Sequence, residues 1–220
     1  PLIYNAIPVF ADIEPDCFCL DVNSIKEKIT DKTKAIIVVD IFGQPYNANE
    51  INALAKEYNL KVIEDSAQAP YASLNGKFAG TLGDIGIYSL NYHKHIHSGE
   101  GGILVTDDEE LANRLRLIRN HAEAVIEAKG DKNLNNMFGF NFRMTEIEAA
   151  IANEQLNKLE NLVLARRQNI EYLEKSLKEL PFLTMQKVRN DAQHAYYLHT
   201  FLFDKNKAGV HRNLFVKAVC

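Results

Sequence analysis

Apolar and polar positions change period several times along the chain, and each change marks an element. Val22, Ile25 and Ile29 recur at helical spacing with Asp21 near the start, which predicts a short helix. Lys34 to Ile41 (KAIIVVDI) is instead a continuous β-branched run, the pattern of a strand buried on both faces of a parallel sheet. Ile51, Leu54, Ala55 and Tyr58 return to the helical period, and Lys61 to Glu64 to a strand. Strand, helix and strand at this spacing predict a βαβ unit, and in such sheets ligands bind beyond the carboxyl ends of the strands. Asp40 and Asp65 both sit at such an end.

Upstream, Ile7 to Ala11 reads as a short strand before the turn-prone Glu14-Pro15-Asp16. Downstream, Asn75-Gly76 predicts a small hairpin, Asp84 to Leu90 and Gly102 to Thr106 predict strands, and Asp107 to Arg119 predicts a helix. His121 to Gly139 is polar and weakly patterned, the mark of a long loop. Thr145-Glu146-Ile147-Glu148 matches a capping box. Apolar residues at helical spacing then run from Ala149 to Leu180 and stop at Pro181, which predicts one long helix or two in line leading out of a first domain. A further strand is expected at Tyr196 to Phe203. The expected division is a large α/β domain over residues 1–160, followed by a connecting helix and the start of a smaller domain over 161–220.

Composition narrows the classes. With 46% hydrophobic and 25% charged residues the chain is an ordinary globular one, and a net charge of −4 with no Lys/Arg cluster argues against nucleic acid as a partner. No apolar run approaches the length of a membrane span. The odd count of three cysteines, without a secretory leader, fits a reducing cytoplasm rather than a disulfide framework. The start at Pro1 and the close inside the helical NLFVKAVC suggest an internal piece of a longer protein.

The chemistry concentrates in Val62 to Gly102. A lysine, Lys94, in a loop near a strand-end aspartate, Asp65, suits a cofactor that needs both an amine and an anion. Pyridoxal phosphate is such a cofactor: a lysine binds it as a Schiff base, and an acid keeps its ring nitrogen protonated. His93, His95 and His97 alternate around that lysine and suggest a competing three-histidine zinc site, or else residues that line a sugar-nucleotide pocket or pack. Gly99, Gly101 and Gly102 suit a phosphate turn or plain turn chemistry.

Four motifs in order, EDSAQAP (Glu64–Pro70), GTLGDIGIYSL (Gly80–Leu90), Lys94 followed by GEGG (Gly99–Gly102), and GFNFRMTEIEAAI (Gly139–Ile151), give a specific likeness. Together with PVFADIEPD and KAIIVVDIFGQP, the sequence resembles the DegT/DnrJ/EryC1/StrS family of pyridoxal-phosphate-dependent nucleotide-sugar aminotransferases along nearly its whole length. The resemblance implies the aspartate-aminotransferase-like fold (fold type I), with a mostly parallel sheet covered by helices in the large domain and a smaller C-terminal domain. It also implies roles. Asp65 pairs with the pyridine nitrogen, Gln68 lies near the ring and its phenolic oxygen, Ser89 binds the phosphate, and Lys94 is the Schiff-base lysine and proton carrier. Asn141 reaches the phosphate of the neighbouring subunit in a homodimer, and Arg143 matches the motif without a definite role. The substrates implied are a nucleoside-diphosphate keto sugar and an amino acid donor such as glutamate. Two other readings stay open: a sugar C-3 dehydratase of the same family, in which the lysine is replaced by histidine, and a non-catalytic, cofactor-binding regulatory relative.

The sequence departs from the family pattern at Pro70-Tyr71, where His-Gly is frequent, at Leu90, where an aromatic is usual, and at Ala122, where glycine is frequent. Family members also begin well upstream with a Gly-Thr-x-Ala turn that holds the cofactor phosphate, so the 220-residue piece is expected to be inactive by itself.

Overall fold

A computed structural model describes residues 1–122 and 138–219. Its centre is a four-stranded sheet in the order β1 (Ala35–Val39), β2 (Lys61–Asp65), β5 (Ile85–Ser89), β6 (Gly102–Val105), the first three parallel and β6 antiparallel to β5. The short β3 (Ser73–Leu74) and β4 (Lys77–Phe78) form the expected hairpin, with Asn75 and Gly76 at φ 49° and 78° as a tight turn between twisted strands requires. A third strand, β8 (Ala192–Gln193), joins β3 from far along the chain.

Helices α1 (Val22–Lys28) and α2 (Ala48–Glu57) start where Asp21 and Asn47 accept hydrogen bonds from backbone N–H groups of the first turn. Their apolar stripes meet one face of the sheet, where Ile25, Ile36, Val38, Ile51, Leu54 and Val62 form a single buried cluster. Each such side chain contributes about 1.5–3 kcal/mol on burial. The continuous β-branched run of β1 is not buried on both faces: Ile37 on the opposite side is 47% exposed, and among the described residues nothing covers it as the helices cover its neighbours. The period-2 alternation hidden within an all-apolar run thus reappears as an alternation of burial.

Other boundaries differ in detail. Ile7 to Ala11 forms no strand, and Ile7 and Phe10 are 85% and 86% exposed. The helix expected from Asp107 is α3 (Glu109–Arg119), begun by Asp108 as its cap. The long helical pattern is two helices, α4 (Glu146–Leu156), opened by the Thr145/Glu148 capping box, and α5 (Leu159–Leu177). Most of the expected loop from His121 to Gly139 lies outside the described residues. Of the strand expected at Tyr196 to Phe203 only β9 (Phe201–Phe203) forms, paired with β7 (Leu183–Met185), and short helices α6 (Lys205–Ala208) and α7 (Arg212–Val219) follow.

The segment between β8 and β9 is fastened to the sheet domain rather than extended as a strand. Arg167 of α5 donates to the His194 carbonyl at 2.8 Å, to Gln193 Oε1 at 3.0 Å and to the Tyr71 carbonyl at 3.3 Å. His194 and His95 are buried here at 2% and 7% exposure. Burial depresses both imidazoles, to about 3 for His194 and about 4 for His95, with the cations Arg167 and Arg166 acting in the same direction.

Two expectations follow from this packing. A Cβ at Gly86 would stand 1.7 Å from the Gly80 carbonyl oxygen, so Gly86→Ala should destabilise by about 3 kcal/mol or more, read from urea unfolding; an unchanged midpoint contradicts the close approach. The second concerns pH. Above about 6.5 both histidines are neutral folded and unfolded; below it the unfolded chain takes up protons that the folded chain refuses, so stability falls as pH drops toward 4. The buried Asp40 carboxyl, raised by burial and by neighbouring Glu64, acts in the opposite direction, while His199, lowered by burial, adds to the effect of the other two histidines. A net loss of stability from pH 7 to 4.5 is the expected outcome, and a midpoint that stays flat over that range refutes it.

Candidate active site

The three parallel strands end at one level. Val39 pairs laterally with Asp65 and Asp65 with Ile87, and the bonds from Asp40 N to the Asp65 carbonyl (3.0 Å) and from Ser66 N to the Ile87 carbonyl (2.9 Å) extend the ladder by one step. Lateral neighbours share a face, and Ser89, two residues after Ile87, returns to it. Asp65 and Ser89 therefore rise on the same face of the sheet, opposite to the helix-covered one.

The pleat separates two adjacent acids. Glu64 points inward, fully buried, and its carboxylate accepts from the backbone N–H groups of Gly80 (2.7 Å), Leu82 (2.8 Å) and Gly83 (3.0 Å). Asp65 points the other way, half-buried; its Oδ1 accepts from Ala67 N at 3.0 Å, and its second oxygen has no partner among the described residues. Behind it, buried Asp40 accepts from Tyr46 N at 2.8 Å and from the Ser66 hydroxyl at 2.6 Å, which fixes the start of the loop leading to Gln68.

Gln68 Oε1 accepts from Phe42 N at 2.7 Å. That bond holds an aromatic residue in the left-handed region at φ 60°, a conformation that costs about 1–3 kcal/mol and needs such support. The next residue must be glycine: a Cβ on Gly43, at φ 108°, would lie 2.8 Å from Tyr196 N, 3.0 Å from Tyr197 N and 3.1 Å from the Gln68 carbonyl oxygen. Ala195 N and Leu198 N donate to the carbonyls of Gly43 and Phe42 at 2.8 and 3.3 Å, so the segment after α5 is laced to this turn. The Gln68 amide nitrogen has no partner among the described residues.

Ser89 ends β5 opposite Gly102, and its Oγ accepts from Asn91 N at 3.3 Å, leaving the hydroxyl proton without an acceptor among the described residues. A turn closed by Lys94 N donating to the Asn91 carbonyl at 2.9 Å brings Lys94 round. Lys94 Nζ lies 4.8 Å from the centroid of the Tyr197 ring and meets no carboxylate or other acceptor among the described residues. Asp65, Gln68, Ser89 and Lys94 are all half-buried at this edge, each with one polar function left over. The path Gln68–Gly43–Tyr197–Lys94 joins the last of them to the second.

The three alternating histidines do not converge. His95 Nε2 donates to the Ala195 carbonyl at 2.9 Å and its Nδ1 is buried without a partner among the described residues, while His93 and His97 are exposed and the His93 ring lies tilted against that of Tyr92 at 3.8 Å. Among the described residues the side chains that bring three potential ligand atoms within 4.8 Å are Glu14, Asp16 and Cys17, and these are already engaged by Arg189 and Lys187. The zinc reading of His93, His95 and His97 therefore fails on geometry.

Asn141 is not joined to the other four by any bond among the described residues. It is exposed and pairs with Asn120 at the end of α3, where Arg143 Nη1 donates to Asn120 Oδ1 at 2.8 Å. The departures have local explanations. Tyr71 turns toward Phe78 and the Arg167 guanidinium, at 5.5 and 5.9 Å, and Leu90 is buried in a cluster with Ile96, Leu159 and Val163. Ala122 adopts φ 58°, a region glycine enters without strain. Sequence reasoning missed Asp40's supporting role, Gly43 and Tyr197; Tyr197 lies about a hundred residues from Lys94, and no local pattern announces the contact.

The donor set fits pyridoxal phosphate: a spare carboxylate oxygen suits a ring nitrogen, an amide N–H₂ a phenolic oxygen, a hydroxyl a phosphate, and an amine an aldehyde. Comparison with known proteins agrees. The chain is 34% identical over 218 residues, 93% of its length and 56% of the relative's, to GDP-4-keto-6-deoxy-D-mannose 3-dehydratase of Escherichia coli O55:H7. It is 39% identical over 196 residues, 88% of its length and 52% of the relative's, to dTDP-3-amino-3,6-dideoxy-alpha-D-galactopyranose transaminase of Aneurinibacillus thermoaerophilus. It superimposes on the solved E. coli GDP-4-keto-6-deoxy-D-mannose-3-dehydratase with bound hydrated PLP with a TM-score of 0.81 at 33% identity, covering 94% of this chain and 56% of that one. The chain thus spans about half the length of the relatives it matches, and the aspartate-aminotransferase-like α/β fold expected from sequence is the fold it has. The model of the DegT/DnrJ/EryC1/StrS aminotransferase family matches residues 2–219, and with that span and these identities the chain belongs to this family.

Proposed function

We propose that the protein is a pyridoxal-phosphate-dependent aminotransferase that converts a nucleotide-linked keto-deoxysugar into an amino sugar with an amino acid donor such as glutamate. The observation that carries this reading is the set of four half-buried side chains at the carboxyl edge of the sheet, each with one unmatched polar function: Asp65, Gln68, Ser89 and Lys94. When bound, the cofactor supplies an electron-accepting ring that stabilises negative charge on the substrate carbon. The chain's residues do the rest. Asp65 would hold the proton on the ring nitrogen, the Gln68 amide would donate to the phenolic oxygen, and the Ser89 hydroxyl would donate to the phosphate. Lys94 would be the amine that attaches the aldehyde, and its free Nζ would serve as the base that accepts the proton from the substrate carbon.

Lys94 at the reacting position supports amination over the dehydration named for the E. coli relative. The further parts of the reading are a large domain over residues 1–160, a connecting helix and the start of a smaller domain over 161–220, action in the cytoplasm, and a homodimer in which exposed Asn141 reaches the phosphate of the other subunit. No helix of the described residues is long and apolar enough to cross a membrane.

With the full-length protein, borohydride reduction after loading should leave the cofactor on a peptide containing Lys94; no adduct there sinks the reading. Lys94→Ala should abolish that adduct and lower amination on the order of 10³-fold or more. Asp65→Asn, which cannot hold a proton on the ring nitrogen by charge, should keep the adduct yet cut kcat by about 10²-fold or more. Isotope-labelled glutamate distinguishes the chemistry: label in the sugar product supports amination, whereas loss of a sugar hydroxyl without label favours the dehydratase.

A further inference from the structure

Lys94 meets a distant part of the chain directly. Its amine sits over the face of Tyr197 at 4.8 Å, inside the range in which a ring attracts an ammonium, and no carboxylate competes for it among the described residues. The ring is itself held. Tyr197 N stands against Gly43 so closely that no side chain fits between them, and Ala195 N and Leu198 N on either side donate to the Gly43 and Phe42 carbonyls at 2.8 and 3.3 Å. His95, next to Lys94, donates to the Ala195 carbonyl at 2.9 Å and packs its ring 5.9 Å from that of Tyr197. The lysine turn and the tyrosine segment are thus tied together through His95 and to the Gln68 loop through Gly43. A flexible amine is met by a ring whose backbone has three separate anchors.

We propose that Tyr197 is a positioning residue for Lys94: its ring face holds the amine at the pocket edge so that an incoming aldehyde finds it in place. This rests on the reading of Lys94 as the covalent attachment point. In the step concerned, the ammonium gives a proton to solvent and the amine nitrogen forms a C=N bond to the aldehyde carbon. The aldehyde oxygen leaves as water, with no change of oxidation state. The part of the work that belongs to Tyr197 is the interaction of its ring face with the cation, which its hydroxyl does not supply.

The test uses the full-length protein with Tyr197→Phe and Tyr197→Leu. Covalent capture of pyridoxal phosphate is followed by stopped-flow absorbance, and binding of pyridoxine phosphate, the alcohol analogue that cannot bond to a lysine, by calorimetry. Tyr197→Phe should capture within about twofold of the unsubstituted rate, and Tyr197→Leu about three- to tenfold more slowly, with alcohol binding unchanged in both. A Leu variant that captures at the unsubstituted rate, or one that loses alcohol binding in proportion, overturns the positioning role, since the second result marks a merely structural one. If the unsubstituted protein forms no adduct at Lys94, the proposed function fails instead, and borohydride mapping makes that outcome distinct.

Discussion

The buried carboxylate of Glu64 is the constraint on which the sheet's carboxyl edge depends. An unpaired charge in an apolar interior costs several kcal/mol, and here three backbone N–H groups from residues 80 to 83 compensate it. Because those donors belong to the turn that feeds β5, their bonds fix where β5 enters the sheet and hence how far Ser89 projects beyond Ile87. They also fix the pleat of β2, so that the next residue, Asp65, must face the opposite side. Two acids adjacent in sequence thereby acquire unrelated tasks. One is consumed by structure and the other is left with an oxygen free.

The same economy appears in the loop at residues 40 to 46. Asp40, Phe42, Gly43 and Gln44 all satisfy backbone or side-chain partners from distant segments: Asp40 holds Ser66, Phe42 is held by Gln68, Gly43 carries the Tyr196-Tyr197 segment, and Gln44 accepts from Arg189 N at 3.2 Å. A short turn after one strand thus couples the second strand's loop to a part of the chain that arrives after α5. Rigidity at the edge comes from hydrogen bonds between loops rather than from the sheet alone.

Much of this was legible in the sequence where the pattern is local. The βαβ unit, the Asn75-Gly76 hairpin and the Thr145 capping box all rest on periodicity or turn chemistry over a few residues, and each formed. The placement of Asp65 and Ser89 on one face needed the pairing of Asp65 with Ile87, because alternation orders faces only within a single strand. What could not be read depends on sequence-distant partners. The apolar run Ile7 to Ala11 has strand composition yet finds no neighbour to pair with among the described residues, and the start of Tyr196 to Phe203 is bent away from a strand by bonds from Leu198 N to the Phe42 carbonyl and from Arg166 to the Tyr196 carbonyl. The histidines illustrate the limit: alternation would put three on one side of an extended segment, but the turn after Asn91 destroys that extension and sends only His95 inward.

The contact between Gly80 and Gly86 also bears on how such a sequence can vary. The Gly80 carbonyl occupies the space a side chain at 86 would need, Gly80 itself sits at φ 90° beside the ring of Tyr88, and the Tyr88 hydroxyl donates to the Ala79 carbonyl. No one of these positions can drift while the others stay. Across diverging lineages, residues 80, 86 and 88 should be inherited as a block, and a chimera whose crossover falls between 80 and 86 should fail more often than crossovers on either side of that block.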